Sequence, residues 1–443
     1  MVWHVVTRVG MADNHDAGLG ADEPRVIVAI ARPGDRWTVG NNVFPTIFER
    51  TGGFPSAIVI DLLHLAFSVY SADLQIERKL FQDDWTRNLV LHLPVSDPGL
   101  WDKQLPVLSR MLAFLTGDVW DIRPRQLEAF EPLKPERQKP PTVQRPVQRV
   151  SLLSGGLDSL VGAIDLLEEG ETLALVGHHG AGMANVFQQR VLSSLRLVYG
   201  DRAEEFMFYV QPPKHGENGE SSMRSRSLLF VSLGIAVASA LGGKQPLAVA
   251  ENGLISLNVP LTNSRLGSLS TRTTHPHFLA LFRDLLAGLG IDTEIETHYR
   301  FQTKGEMLSN SKNRTVLAAA AKLSMSCSHP EAGRYQGKTP GNHCGYCVPC
   351  IIRRAAMAAA GLDDGPYNTD VVANPPVASS DTGVDLRAFE MALERFATAR
   401  PHEHFFRVLA SGPLPPGDAA DYAAVYSRGM REVRKLLMPG QTP

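Results

Sequence analysis

The stretch of this 443-residue sequence that most directly implies chemistry is Ser154-Gly155-Gly156-Leu157-Asp158-Ser159. It follows a short apolar run, Val150-Ser151-Leu152-Leu153, and leads into Asp158 to Leu167, whose apolar residues recur at helical spacing. A strand, a glycine loop and a helix in that order can hold phosphate groups. Gly155 and Gly156 can take backbone angles closed to other residues, and without side chains they let phosphate oxygens approach main-chain N–H groups. The following helix presents the positive end of its dipole, and Ser154 and Ser159 add hydroxyl donors. Leu153 to Ser159 is therefore the expected phosphate-binding loop. Asp158 is the odd member, because a carboxylate beside phosphates is repelled unless a cation intervenes; a bridging Mg²⁺ would resolve this. The loop excludes two other phosphate binders: no lysine ends it as in a Walker A loop, and the paired glycines do not give G-x-G-x-x-G. The competing reading is a plain strand-to-helix turn with Ser154 as N-cap.

The second cluster is sulfur. The chain has four cysteines, Cys327, Cys344, Cys347 and Cys350, spaced C-x16-C-x2-C-x2-C. A secreted disulfide scaffold would spread its cysteines through a much shorter chain. Four thiolates from close turns can close a tetrahedral Zn²⁺ site; an iron–sulfur cluster is the alternative. His329 and His343 lie near enough in sequence to replace a thiolate. If all four cysteines hold metal, none is left to carry sulfur, and an oxygen or nitrogen nucleophile is favoured.

These residues need a frame. Strand-like runs at Val150–Leu153, Thr172–Val176, Phe206–Val210 and Leu247–Ala250 alternate with helical runs at Asp158–Leu167, Gln188–Val198, Ser227–Leu241 and His277–Leu289. Such alternation predicts a doubly wound parallel sheet, with ligands at the carboxyl ends of its strands. Residues 1–131 read as a small mixed α/β domain, with strands at Val26–Ile30 and Asn88–Val95 and helices at Asp61–Leu74 and Trp101–Leu115; His64 reads as a core histidine. Prolines and basic residues over 132–149 suggest a semi-rigid linker. The main domain spans 150–357, and 358–443 is a mostly helical extension with helices at Asp385–Thr398 and Ala419–Leu437. The net charge of −2 argues against sequence-independent nucleic-acid binding. The best apolar stretch, Leu228–Leu241, is too short to cross a membrane, and no signal peptide is apparent, so a cytoplasmic protein with no membrane association is expected.

SGGLDS on a strand–loop–helix resembles the PP-loop ATPases (adenine nucleotide alpha-hydrolases), which cleave ATP between the α and β phosphates to adenylate a carbonyl or carboxylate oxygen. The order of motifs narrows the likeness. After the loop come Arg224-Ser225-Arg226-Ser227, then Thr303-Lys304-Gly305-Glu306, then the cysteines ending in Cys350-Ile351-Ile352-Arg353-Arg354. This order is similar to that of the 7-cyano-7-deazaguanine synthase (QueC) family over about Val150 to Met357. The resemblance implies a carbon–nitrogen ligase with ATP, Mg²⁺ and Zn²⁺ as cofactors and a 7-deazaguanine carboxylate as substrate. It assigns Asp158, Arg226 and Lys304 to the catalytic centre and the four cysteines to zinc.

The sequence departs from that family in Gly177-His178-His179-Gly180-Ala181-Gly182, in an insertion from about Glu331 to Asn342, and in its added N- and C-terminal segments. Enlarged in this way, and with Glu251-Asn252-Gly253-Leu254-Ile255-Ser256-Leu257-Asn258 and Ser270-Thr271-Arg272-Thr273-Thr274-His275-Pro276-His277, it resembles the QueC-like proteins of Qat-type antiviral defence systems. That likeness implies a partner protein docked on the N-terminal domain, whose amino terminus accepts the acyl group. A nitrile-forming biosynthetic enzyme using ammonia and a catalytically silent nucleotide-binding module are the alternatives.

Overall fold

The computed structural model of the chain describes residues 1–128, 132, 140–143, 145–180, 182–213, 220, 224–262 and 272–440. Residues 133–139 and 144 of the proline-rich stretch, Ala181, and Ser270-Thr271 lie outside the described residues.

The first part of the chain forms β1 (Val2–Val9), β2 (Arg25–Ile30), β3 (Gly40–Asn41), α1 (Val43–Thr51), α2 (Ala57–Gln75), β4 (Asn88–Val95), α3 (Pro98–Asp102), α4 (Leu105–Thr116) and β5 (Val119–Gln126). The middle forms β6 (Arg149–Leu152), α5 (Leu157–Glu168), β7 (Leu173–His179), α6 (Ala184–Tyr199), β8 (Ala203–Gln211), α7 (Arg226–Ala240), β9 (Leu247–Ala248), α8 (Gly253–Leu257), α9 (Pro276–Gly288) and β10 (Ile295–Glu296). It continues with α10 (Lys304–Ser309), α11 (Arg314–Ala321), α12 (Ala332–Tyr335) and α13 (Val348–Ala359). The chain closes with α14 (Val384–Thr398), α15 (Pro401–Leu409) and α16 (Ala419–Leu437).

Two parallel sheets carry the fold, which is a mixed α/β architecture. One is four-stranded in the order β2-β1-β4-β5, and the other is six-stranded in the order β10-β9-β6-β7-β8-β3. In the larger sheet only β3 is antiparallel, paired through Gly40 and Asn41 to Gln211 and Val210. β6 sits inside that sheet between β9 and β7, with Leu152 opposite Val176. A central parallel strand is buried on both faces, so its residues feed two cores. Ala174 and Val176 of β7 join one apolar cluster, and Leu173 and Leu175 join the other. α5 and α6 pack on the second face, and α1 and α7 on the first.

The first core runs without a break from the four-stranded sheet to the six-stranded one. It contains Val5, Leu63, Phe67 and Leu91 together with Val150, Phe206, Leu233 and Phe282. α2 joins the layers, packing against β1, β2 and β4 on one side and α7 on the other. This explains its composition. By length and composition α2 could cross a membrane, but most of it is buried inside the fold. α2 is longer than the apolar stretch Leu228–Leu241, and its apolarity reflects burial between the four-stranded sheet and α7. Some of its buried polar residues are matched: Asp61 accepts from the Ser96 N–H at 2.8 Å and the Ser96 hydroxyl at 2.6 Å. His64 is fully buried, and burial pushes its pKa down to about 3, as expected of a core histidine.

Other expectations shift. Trp101–Leu115 is not one helix: the chain turns at Lys103-Gln104, and Pro106 starts α4 in its first turn. The described end of the proline-rich stretch lies along α1, where the Val143 N–H donates to the Arg50 carbonyl at 3.1 Å and Val147 enters the core. A chain begun at Arg149 would expose the face of α7 that α2 covers. It is expected to lose the single cooperative thermal transition of the full chain, as read by circular dichroism.

Candidate functional site

The glycine loop sits at the carboxyl end of β6. Gly155 has φ +81°, and a Cβ there would lie 3.0 Å from the Gln188 nitrogen, so both the backbone angle and the packing call for glycine. Ser154 is exposed at the loop, and its hydroxyl accepts from the Gly156 N–H at 3.2 Å. The Ser159 hydroxyl donates to the Gly156 carbonyl at 3.0 Å and lies 3.1 Å from the Ser154 hydroxyl. The N-cap of α5 is Gly156, not Ser154, and no side chain caps the helix. Its first N–H groups are thus free of a side-chain acceptor, which is the arrangement an oxyanion can use.

Asp158 is buried in the first turn of α5. Its Oδ1 lies 2.8 Å from the Lys304 Nζ, and its Oδ2 accepts from the Asn252 amide at 2.7 Å. Burial opposes ionisation, but the Lys304 ammonium outweighs it and holds the carboxyl below its usual value. Both carboxylate oxygens are engaged. The cation that balances Asp158 is an ammonium, so the expected Mg²⁺ bridge does not fit this arrangement and no step is assigned to it. Asn252 is fully buried and also caps α8, accepting from the Ile255 N–H at 3.1 Å.

Beside them, Glu251 shares a hydrogen bond with Asp158, and burial together with the Asp158 charge pushes its carboxyl well above the usual 4.5. Glu251 also lines a cavity of about 390 Å³ at the carboxyl ends of β9 and β10, with Ser256, Thr297, Arg283, Arg300 and Tyr422 in its wall.

Lys304 is placed by the C-terminal segment. Thr303 caps α10 in a reciprocal box with Glu306. Glu432 of α16 reaches this turn: it accepts from the Thr303 hydroxyl, and from the Gly305 N–H at 3.2 Å. A Cβ on Gly305 would come within 2.6 Å of that carboxylate. Arg428 adds bonds to Glu306 at 2.5 Å and to the Phe301 carbonyl at 2.8 Å. Arg428 and Glu432 of α16 thus bond the residues that flank Lys304.

Arg226, at the first position of α7, donates to the His178 carbonyl at 3.2 Å. Gln188 donates to the same carbonyl at 3.0 Å while its backbone packs against Gly155. The structure therefore joins Lys304 directly to Asp158 and sets Arg226 across Gln188 from the loop. Asn252, Glu251, Gln188 and Glu432 were given no site role in the sequence reading. Glu251 and Asn252 lie next to each other after β9, and only the fold shows what they face.

The four cysteine sulfurs lie within 4.8 Å of one another. Zn–S bonds of about 2.3 Å in a tetrahedron set sulfur–sulfur edges near 3.8 Å, and the Cys327–Cys347 and Cys344–Cys350 pairs are each 3.9 Å apart. This fits one ion; a multi-iron cluster would need the sulfurs spread around it. N–H groups of His329 and Cys347 point at Cys327 and Cys344 sulfurs at 3.2 and 3.4 Å, which suits thiolates. His343 is not needed as a ligand, since its Nε2 accepts from the Ser326 N–H at 3.3 Å. Gly345 has φ +90°, and a Cβ there would run into the Thr369 carbonyl. Arg353 is fully buried and ties the segment before Cys327, bonding Ser324 at 2.9 Å and Asp364 at 2.7 Å. The Met325 N–H then donates to the Gly155 carbonyl at 2.8 Å, so the metal element is stitched to the glycine loop.

Two outcomes follow from this geometry. Metal analysis of the purified chain should give one zinc per molecule, and Cys344→Ser should lose it and speed amide exchange at Gly155 to Ser159. Glu251 keeps a proton in the folded state that the unfolded chain releases above about pH 4.5, so folding stability should fall as pH rises past that value, by at most about 1.4 kcal/mol per pH unit. Glu251→Gln should flatten that slope in chemical melts between pH 5 and 8.

No protein-family model matches the chain. It is 29% identical to the 7-cyano-7-deazaguanine synthase of Novosphingobium aromaticivorans over 237 residues, covering 49% of this chain and 92% of the relative. It is 27% identical to the synthase of the same name from Cupriavidus taiwanensis over 238 residues, and 26% identical to that of Cupriavidus necator over 236. Each covers 48% of this chain and 94% of the relative. Over about half its length the chain is similar to nearly the whole of these synthases, which supports the QueC-like resemblance carried by its motifs.

Proposed function

We propose that the chain is an ATP-dependent ligase of the PP-loop type that converts a 7-deazaguanine carboxylate to its adenylate and joins the acyl group to an amine. The observation that carries this reading is the meeting of three features at one loop: the uncapped start of α5, the Asp158–Lys304 pair, and the metal element bonded to Gly155. The names of the relatives supply the substrate class.

A carboxylate is a poor electrophile, and adenylation gives it a leaving group. A substrate carboxylate oxygen attacks the α phosphorus of ATP and pyrophosphate leaves. An amine nitrogen then attacks the acyl carbon, AMP leaves, and one proton goes to solvent. The N–H groups at the start of α5 hold the departing phosphates. Lys304, held in place by Asp158, neutralises the charge that grows on them, and Arg226 offers a second cation toward the substrate carboxylate. Glu251, its proton given to Asp158, presents its remaining oxygen as an acceptor to the cavity, which takes the heterocycle. Zinc, when bound, crosslinks the cysteine element that supports the loop, and takes no part in the chemistry.

Support for a protein acceptor comes from the chain's extra length relative to its relatives and from the resemblance of its sequence segments to Qat-type defence proteins. On this reading the amine is the amino terminus of a partner in the same system. With zinc-loaded protein, ATP and 7-carboxy-7-deazaguanine, pyrophosphate release should depend on the carboxylate, and a partner should gain the mass of the acyl group. Release of free nitrile with ammonia alone would instead identify a biosynthetic enzyme; no release with any carboxylate would overturn the reading. Lys304→Ala should lower turnover at least a hundredfold. It should also destabilise the fold by about 3 kcal/mol by leaving a buried carboxylate unpaired.

A further inference from the structure

We infer that the N-terminal domain is a working part of the site, and that Asp73 of α2 and Ser225 are positioning residues for Arg226. This rests on the role given to Arg226 above. The inference starts from a buried charge network. Asp73 is fully buried, and its Oδ1 accepts from the Arg87 Nη2 at 2.8 Å. Its Oδ2 accepts from both the N–H and the hydroxyl of Ser225, each at 2.9 Å. Ser225 is the residue immediately before Arg226 and stands as the N-cap of α7. A capping serine ordinarily turns its hydroxyl to its own helix; here no such bond forms, and the hydroxyl is given to α2 instead.

The remaining groups fix Asp73 in turn. Arg87 is fully buried and bonds Asp118 at 2.6 Å as well as the Ile76 carbonyl at 3.0 Å. Arg78 reaches Asp118 at 2.9 Å and the Thr116 carbonyl at 3.0 Å. Arg224, on the other side of Ser225, stacks on Trp85 with 4.2 Å between guanidinium carbon and ring centre. One turn earlier on α2, Tyr70 meets the ring of His178 edge-on at 5.7 Å, and His178 supplies the carbonyl that Arg226 grips. The backbone just before Arg226 and the strand end that receives its guanidinium are thus both set by α2. Arg226 has no carboxylate partner among the described residues, and burial lowers its pKa. A desolvated guanidinium of this kind is placed by its backbone rather than by an ion pair, so a small shift of Ser225 moves it.

The test is a double-mutant cycle in the full chain. Ser225→Ala removes one bond and leaves Asp73 paired with Arg87, while Ser225→Thr keeps the hydroxyl. Asp73→Asn is the second probe, for use with melts that establish its fold. Two readouts serve: affinity for α,β-methylene-ATP by calorimetry, and turnover with 7-carboxy-7-deazaguanine. Ser225→Ala should weaken one or both about tenfold, Ser225→Thr should restore it, and Ser225→Ala should change neither in an Arg226→Ala background. Additive losses in that background, or wild-type behaviour of Ser225→Ala and Asp73→Asn beside an impaired Arg226→Ala, would overturn the inference alone. An Arg226→Ala chain with wild-type affinity and turnover would overturn the role of Arg226 and the inference with it. If the wild-type chain turns over no carboxylate, the ligase reading fails and the affinity cycle still decides.

Discussion

A carboxylate buried at the start of a helix must be matched by a cation, and around Asp158 the rest of the site is arranged to provide one. Removing either partner of such a pair leaves an uncompensated charge in a poorly solvated place. The pair therefore ties α5, which carries the glycine loop, to α10, which carries Lys304. Because α10 is short, its own packing cannot fix Lys304. Glu432 and Arg428 of α16 do this from outside, and Asn252 holds the second oxygen of Asp158 from the turn after β9. Segments far apart in sequence meet at a single ion pair.

The same economy explains the metal element. The loop after β6 needs Gly155 in a left-handed conformation with its carbonyl accounted for, and the Met325 N–H supplies that bond. A segment with little regular structure around Cys327 can hold position only if it is crosslinked. Four sulfurs spaced for one tetrahedral ion provide the crosslink, and Arg353 locks the segment from behind. The metal centre thus acts on the loop through the main chain.

The added N-terminal domain is integrated rather than appended. Its α2 is buried between the four-stranded sheet and α7, and its β3 extends the larger sheet. Such burial accounts for a helix apolar enough to pass for a membrane span, and for the buried ionic network at its end. Sequence periodicity found α2 but not its role, since a helix apolar on every side carries no stripe to indicate which neighbours it faces. β1 and β5 were passed over for a related reason: β1, inside its sheet, lacks clean alternation, and β5 carries arginines and a proline on its open side.

What the sequence determined by itself was local. The glycine loop and its strand and helix, the four-cysteine set, and the alternation that implies parallel strands are all written in neighbouring residues, because backbone angles, ligand spacing and burial on both faces act over short stretches. What only the tertiary structure decided was partnership. Nothing near Asp158 in sequence announces Lys304 and Asn252; nothing near Thr303 announces Glu432; nothing near Ser225 announces Asp73. These contacts join residues more than ninety positions apart. Their pairing is set by the packing of whole elements, which brings a buried charge to its counter-charge only once the layers have assembled.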